Sequence, residues 1–439
     1  FSQRYYLTVE GRPKNTNYRL SIGYSDNDGI IRQTGYKNLF SRITLDRTIG
    51  KFKIGTNTSF SWLNSNLTQG AGGTIQQTPA TSLIMSMLMT RPVRRVVEYD
   101  DEGIEVDDEE TYLSGPDRWL SSYESKRTEF RVISSIKGEY KILPWLTFQS
   151  KFGFDYRSNE RSSFKSQRIN TQGTGANGSV SHQDRLGWNW DNLLLFNKKI
   201  KKHRVSGTLG QSASQSISRT QLVEGTNVVQ WKAMSGSLNS APYAWLTYGE
   251  GHSSLLSFFV RATYNFDERY VVTGTYRFDG SSKFAGKNKW AQFPSFAAAW
   301  RISNEPWFKR FRFIVPQFTS AKLRVGWGRV GNQAIPGYQT SYSYSSSNVA
   351  THDNTSHKLT SLASNKLPTP ELKWETTSQY NAGLDLDFFK GRLVVGVDGY
   401  YKLTEDLLQT IILAGSAGVN NPYVNMGAIS NTGMEIILK

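Results

Sequence analysis

The sequence contains no cysteine, only five histidines and no long apolar run, and each absence removes a class of protein. Without cysteine there is no disulfide scaffold and no thiolate metal site. The five histidines are scattered, and none lies in a His-Glu-x-x-His or similar ligand spacing. A membrane-spanning helix needs about 18 continuous apolar residues, whereas the uninterrupted apolar runs are short, as at 193–196. A helical membrane protein is therefore excluded.

The composition favours β structure. Hydrophobic residues make up 38% of the 439 residues and aromatic residues 13%, so about a third of the hydrophobic set carries rings. This aromatic content argues against disorder, and rings combined with abundant Gly, Ser, Thr and Asn are typical of strands with exposed aromatics. No linker, charge block or change of period divides the chain, so we expect one uniform architecture.

Apolar and polar residues alternate with period 2 from one end of the chain to the other. Clear examples are residues 52–62, 146–156 and 380–388. Such alternation predicts β-strands with two different faces. One face is rich in rings and aliphatic residues, and the other is rich in Gly, Ser, Asn, Arg and Asp.

The connections between these runs alternate in length as well. Tight connections fall near 13–17, 47–50 and 267–269, and long polar ones near 64–125, 219–252 and 332–370. Short turns at one end and long loops at the other predict an all-β fold, a large transmembrane antiparallel β-barrel of which about 15 strands are present here. In lipid, strands can satisfy their backbone groups only in a closed barrel. The alternative is a soluble sandwich or propeller, which would bury a solidly apolar face and have short loops at both ends.

Catalytic motifs are missing from the sequence. There is no Gly-x-Ser-x-Gly nucleophile elbow. The Gly-x-Gly-x-x-Gly at 173–178 lies in a polar loop rather than between a strand and a helix, so it does not predict a dinucleotide site. We therefore expect no enzymatic activity and no cofactor.

Two groups of loop residues are candidate binding sites. The acidic residues Asp100, Asp101, Asp107 and Asp108 form either a solvated loop tip or a calcium site, because calcium needs several converging oxygens. Loop aromatics either fold the long loops or bind ligand, since rings stack on sugars and their polar tips form hydrogen bonds. These aromatic candidates are Tyr112, Trp119, Trp231, Tyr243, Trp245, Tyr342 and Tyr344.

The formal net charge of +16 raises the question of nucleic acid. The basic residues alternate through strands and turns, as at 198–202, and do not form one stripe with interleaved stacking rings. Anionic lipid headgroups and a polar lumen account for them equally well. We therefore expect outer-membrane lipid as a partner, and no nucleic acid.

An ordered series of motifs covers essentially the whole chain. It comprises an early hairpin at 18–31, then 277–284 (Arg-Phe-Asp-Gly-Ser-Ser-Lys-Phe), 293–295 (Phe-Pro-Ser), 298–301 (Ala-Ala-Trp-Arg), 323–333 (Leu-Arg-Val-Gly-Trp-Gly-Arg-Val-Gly-Asn-Gln), 372–375 (Leu-Lys-Trp-Glu) and 431–435 (Asn-Thr-Gly-Met-Glu). This series resembles the barrel of SusC/RagA-type TonB-dependent outer-membrane transporters.

The resemblance implies a barrel of about 22 strands in the outer membrane of a Gram-negative bacterium, with short periplasmic turns and long extracellular loops. The family's N-terminal plug, its TonB box and the last barrel strands have no counterpart here, so residues 1–439 are expected to form a partial barrel domain.

The resemblance also implies a function and its partners. The function is active import of an oligomeric nutrient, an oligosaccharide or an oligopeptide, beneath a SusD-like lipoprotein lid. The TonB–ExbB–ExbD complex would supply energy through the plug. Lumen residues would tune passage, namely Arg277, Asp279, Arg301, Arg324, Arg329 and Asp385. A passive channel, or a structural barrel of a surface assembly, is the alternative.

Overall fold

The computed structural model describes residues 1–66, 120–167, 175–228, 238–308, 310, 317–349 and 359–439. Within these ranges the chain forms nineteen strands. They are β1 (Ser2–Gly11), β2 (Thr16–Asp28), β3 (Gly35–Ile49), β4 (Phe52–Asn66), β5 (Tyr123–Leu143), β6 (Leu146–Lys165), β7 (Asn177–Ile200), β8 (His203–Thr226), β9 (Tyr243–Phe266), β10 (Tyr270–Ser281), β11 (Trp290–Arg301), β12 (Phe318–Asn332), β13 (Ser343–Val349), β14 (Leu359–Lys366), β15 (Glu375–Phe388), β16 (Leu393–Glu405), β17 (Leu408–Thr410), β18 (Tyr423–Asn425) and β19 (Ala428–Leu438).

Fifteen of these strands form one antiparallel sheet. Strands β1 to β12 follow one another in chain order, and β15, β16 and β19 continue the sheet. The hairpins β13–β14 and β17–β18 are separate two-stranded sheets within the longer connections. The sheet therefore has the strand number and the antiparallel order that the alternation predicts.

The two ends of the sheet differ as the sequence predicts. At one end, β3–β4, β5–β6, β7–β8 and β9–β10 are joined by turns of two or three residues. We call this the short-turn end. At the other end, the long-loop end, β4–β5, β8–β9 and β12–β15 are joined by far longer segments. The β11–β12 connection, 302–317, is the long exception at the short-turn end.

One face of the sheet exposes large apolar side chains in the middle of its strands. Leu209 is 59% exposed, Val260 46% and Phe296 48%, although each has hydrogen-bonded strands on both sides. Each apolar Å² left in water costs about 25 cal/mol, so a band of this extent marks a surface that does not face water. We call it the outer face.

Two rows of rings bound this apolar band. Near the short-turn end, the rings of His203, Phe266, Tyr270 and Trp300 follow one another at centroid distances of 5.0, 6.4 and 6.3 Å. A second row includes Phe278, stacked on Trp290 at 4.8 Å. From Tyr270 to Phe278 the tilted strand rises roughly 20 Å, close to the apolar band of a membrane barrel. We call the first group the lower ring row.

The buried apolar residues are few and lie near strand ends. One described cluster joins Phe284, Phe293, Ile335, Leu372 and Trp374 at the long-loop end. A soluble sandwich would instead bury the mid-strand residues that are exposed here. Within the described ranges, no helix has both the length and the apolar character to cross a bilayer. The mid-strand exposure of Leu209, Val260 and Phe296 indicates that the sheet is the wall of a membrane barrel, not half of a soluble sandwich.

Two adjacent leucines in β7 test which face meets lipid. Leu194 is paired with Leu209 and lies on the outer face, whereas Leu195 is paired with Thr147 and Thr208 on the inner face. We expect Leu194→Arg to lower the free energy of unfolding by about 2–4 kcal/mol, because a charge near the bilayer midplane loses its hydration. Urea titration in phospholipid vesicles measures this change. Leu195→Arg is the matched control, and an equal loss in both variants would contradict the assignment of the faces.

Candidate functional site

The inner face of the sheet is the candidate functional site. Along each strand, the small and polar residues of the inner face alternate with the rings of the outer face. The register aligns these small and polar residues across neighbouring strands. A cavity of about 600 Å³ lies against β5–β9, and its lining includes Asp155, Arg185, Ser214, Ser253 and Lys283. The inner wall can therefore offer charged and hydroxyl groups to a polar ligand.

Arg277 ties β10 to β9 on this wall. Its Nε donates to both carboxylate oxygens of Asp279 at 2.8 Å, and its Nη2 donates to the Ser257 hydroxyl at 3.0 Å. Its guanidinium also lies 5.6 Å from the ring centre of Phe259. Asp279 is only 7% exposed, so these contacts supply the partners that a buried carboxylate requires.

Arg324 joins three strands through two carboxylates. It donates to Asp385 through Nε at 2.9 Å and Nη2 at 2.8 Å, and to Asp398 through Nη2 at 3.0 Å. Gly383 makes room for this arrangement, since a Cβ there would meet the Asp398 carboxylate. One guanidinium faces two carboxylates, so the Arg324 network carries a residual negative charge.

A third network, which sequence reasoning missed, lies on β5 and β6. Glu129 accepts hydrogen bonds from Arg127 and, at 2.7 Å, from Arg157. Arg131 forms a two-point contact with Asp155 at 2.9 and 2.6 Å. Three guanidinium groups thus face two carboxylates, and this network carries a residual positive charge. The alternation of apolar and polar residues in these two strands indicates that the charged residues share a face. Which arginine contacts which carboxylate depends on the register between β5 and β6.

The remaining predicted lumen residues lie in different places. Arg301 is exposed on the inner face at the short-turn end, where Lys322 is its register partner on the neighbouring strand β12. The placement of Arg329 in the lumen is wrong. It lies on the same face as Trp327, because it is five positions, an odd number, from Arg324 in a strand without a bulge between them.

Of the predicted aromatic ligand residues, Trp245 and Tyr342 can be placed with their side chains. Trp245 is 54% exposed on the inner side of β9 near the long-loop end, and Tyr342 is 69% exposed. Tyr243 begins β9 and Tyr344 lies in β13. Ligand binding by these residues remains a prediction.

The other predicted loop sites lie outside the described residues. These are the aromatic residues Tyr112, Trp119 and Trp231, and the acidic residues Asp100, Asp101, Asp107 and Asp108. In the part of the chain that the structure describes, no three acidic or histidine side chains come together to hold a metal ion.

The distant motifs converge in one cluster at the long-loop end. We call Phe284, Phe293, Ile335, Leu372 and Trp374 the mouth cluster. The Trp374 ring lies 5.3 Å from that of Phe284 and 5.5 Å from that of Phe293, and its Nε1 donates to the Lys289 carbonyl at 3.2 Å. These contacts fix the loops to the inner rim of β11.

Polar bonds complete the mouth cluster. Asn332 Nδ2 donates to Glu375 Oε1 at 3.0 Å, and the Ser281 hydroxyl donates to Gln333 Oε1. Lys283 Nζ donates to the Gln333 carbonyl at 3.2 Å, and burial lowers the pKa of this ammonium. The cluster is therefore a rigid frame beside the cavity that Lys283 helps to line.

The family model described as TonB dependent receptor-like, beta-barrel, matches residues 2–439. The chain belongs to this family. It is therefore an outer-membrane β-barrel protein, with short periplasmic turns and long extracellular loops. The short-turn end faces the periplasm, and the cavity and mouth cluster lie toward the extracellular side.

Similar proteins share this barrel. TonB-dependent receptor P26 of Formosa agariphila is 29% identical over 98% of this chain and 42% of its own length. TonB-dependent receptor SusC of Bacteroides thetaiotaomicron is 26% identical over 99% of this chain and 44% of its own length. The structure of the RagAB peptide transporter superposes with a TM-score of 0.80 and 21% identity, over all of this chain and 48% of that one. The chain thus spans less than half the length of these relatives.

Arg324 offers a test of the inner wall. Arg324→Gln leaves the carboxylates of Asp385 and Asp398 without their shared cation, so we expect a loss of about 1–3 kcal/mol in the free energy of unfolding. Asp398→Asn keeps the two-point contact with Asp385 and should cost under about 1 kcal/mol. Urea unfolding in vesicles measures both. Equal costs would show that Arg324 does not hold the two carboxylates together.

Proposed function

We propose that this barrel belongs to a TonB-dependent importer that moves an oligomeric nutrient across the outer membrane. The observation that carries the proposal is the membrane barrel wall with a charged, hydroxyl-rich inner face. Such a wall offers many weak polar contacts along a path. Its role in import is to frame and guide the substrate rather than to break bonds, and we propose no enzymatic activity and no cofactor.

The substrate class that fits this wall is a hydrated oligomer. Ser214, Ser253 and Arg185 offer donors at one level of the cavity, and Trp245 offers an exposed ring above it. Hydroxyl and guanidinium groups suit both an oligosaccharide and an oligopeptide, and a ring adds a stacking face. The structural likeness to a peptide transporter supports the oligopeptide class, and the exposed ring of Trp245 supports the oligosaccharide class.

The partners follow from the two ends of the barrel. A SusD-like lipoprotein lid would cover the extracellular mouth, where the mouth cluster holds the loop bases in place. The TonB–ExbB–ExbD complex would act from the periplasm on a plug outside the present sequence. The TonB-dependent receptor family and the SusC relative support both partners. Lipid would surround the outer face, which carries the apolar band.

Energy dependence separates this proposal from a passive channel or a structural barrel. We expect bacteria that make the full-length protein and its lid to take up a fluorescent oligosaccharide or oligopeptide pool. This uptake should fall to background when TonB is deleted or a protonophore collapses the proton gradient, because the plug would then stay in place.

The controls are cells without the full-length protein and cells that express a porin. Uptake that persists without TonB would favour a passive channel. No uptake of either pool by cells with an active TonB system would favour a structural barrel.

A further inference from the structure

One periplasmic hairpin is unusually basic. Residues 198–204, which form the β7–β8 turn and its flanks, contain Lys198, Lys199, Lys201, Lys202, His203 and Arg204, and no acidic residue. All six side chains are exposed. We call this segment the basic hairpin. The importer function uses none of these charges.

The strand register divides the hairpin between two environments. Lys198 is paired with Val205 and His203 with Phe266, so both lie on the outer face. Lys199 is paired with Arg204 and lies on the inner face. Adjacent lysines in one strand therefore point to the lipid side and to the lumen side.

Lys198 lies where the apolar band ends. Its Nζ is 5.4 Å from the ring centre of Trp145, which packs edge-on against Phe196 at 5.3 Å. The neighbouring His203, a member of the lower ring row, shares a 2.7 Å hydrogen bond with the Tyr264 hydroxyl. Tryptophan and tyrosine favour the level of the lipid headgroups, so the Lys198 ammonium lies at the level of the lipid phosphates.

The next turn shows how this barrel neutralises cations elsewhere. Arg269 contacts Asp267 at 2.8 Å and Glu305 at 3.0 Å. Hydrogen bonds from Tyr270, Trp300 and Arg269 hold the pKa of Glu305 below its usual value, so it is charged at neutral pH.

In the basic hairpin, Lys202 reaches Asp267 at 3.2 Å. Within the described part of the chain, no carboxylate forms an ion pair with Lys198 or Lys201. Their charge is therefore available to an anion from outside the protein.

We propose that the outer side of the basic hairpin binds the headgroup of an anionic phospholipid in the periplasmic leaflet. Lys198 and Lys201 contact the phosphate, while Trp145 and Phe196 pack beside the upper part of the acyl chains. A lipid fits better than a soluble acidic protein, because Lys198 projects from the membrane-facing side of the barrel beside exposed apolar side chains. Basic residues at a membrane surface attract anionic lipid in this way.

The test uses the full-length protein in nanodiscs of phosphatidylethanolamine with a graded fraction of phosphatidylglycerol. Native mass spectrometry after mild release counts the phosphatidylglycerol molecules that stay bound. We expect wild-type protein to enrich phosphatidylglycerol over phosphatidylethanolamine. Lys198→Gln should weaken retention about fivefold, the effect of one cation near the surface. Lys201→Asn added to it should weaken retention further, and Asn suits the left-handed backbone at position 201.

Lys199→Gln is the matched control, since it removes the same charge from the inner side. It should leave phosphatidylglycerol retention unchanged. A difference in gel mobility between heated and unheated samples confirms that each variant is a folded barrel. Equal loss in Lys198→Gln and Lys199→Gln would overturn the proposal, because net charge would then explain the binding. Equal retention of both lipids by wild-type protein would also overturn it. Neither result bears on import, which is measured by uptake.

Discussion

In hydrocarbon, every backbone N–H and C=O group needs a partner within the protein, and the rest of this structure depends on that constraint. The antiparallel sheet meets it by pairing each strand along nearly its whole length, as in the continuous register of β8 with β9. Pairing fixes the pleat, and the pleat sends alternate side chains to lipid and to the lumen. Leu209 can be 59% exposed without a penalty only because its solvent is lipid.

Charge on the inner wall is arranged by the same pleat. Arg324 on β12 can bridge Asp385 on β15 and Asp398 on β16, because the strand register turns all three side chains to the same face. The residual charge is negative there and positive around Glu129, which has two arginine partners. Under the proposed import function, a hydrated oligomer would meet regions of both signs along this wall.

The sequence predicts the two faces of the sheet, the strand number and the two kinds of connection, because apolar and polar residues alternate with a period of 2 within each strand. It does not predict which arginine meets which carboxylate, since Arg131 and Asp155 become neighbours only through the β5–β6 register. The alternation itself contradicts a lumen position for Arg329. Leu323, Val325 and Trp327 mark the outer face, and position 329 continues that alternation. Loop contacts depend on the fold of long segments that have no period.

Three of the motifs that relate this chain to its family meet in the mouth cluster. Phe284, Phe293 and Trp374 come from three separate motifs and pack into one buried group that fixes the loops. Their size and shape constrain one another, because a change in one leaves a cavity or a clash beside the others. Arg185 on the cavity wall is instead exposed. The family match therefore rests in part on residues that frame the mouth of the barrel, whereas the exposed polar groups of the cavity wall carry the proposed contacts with a substrate.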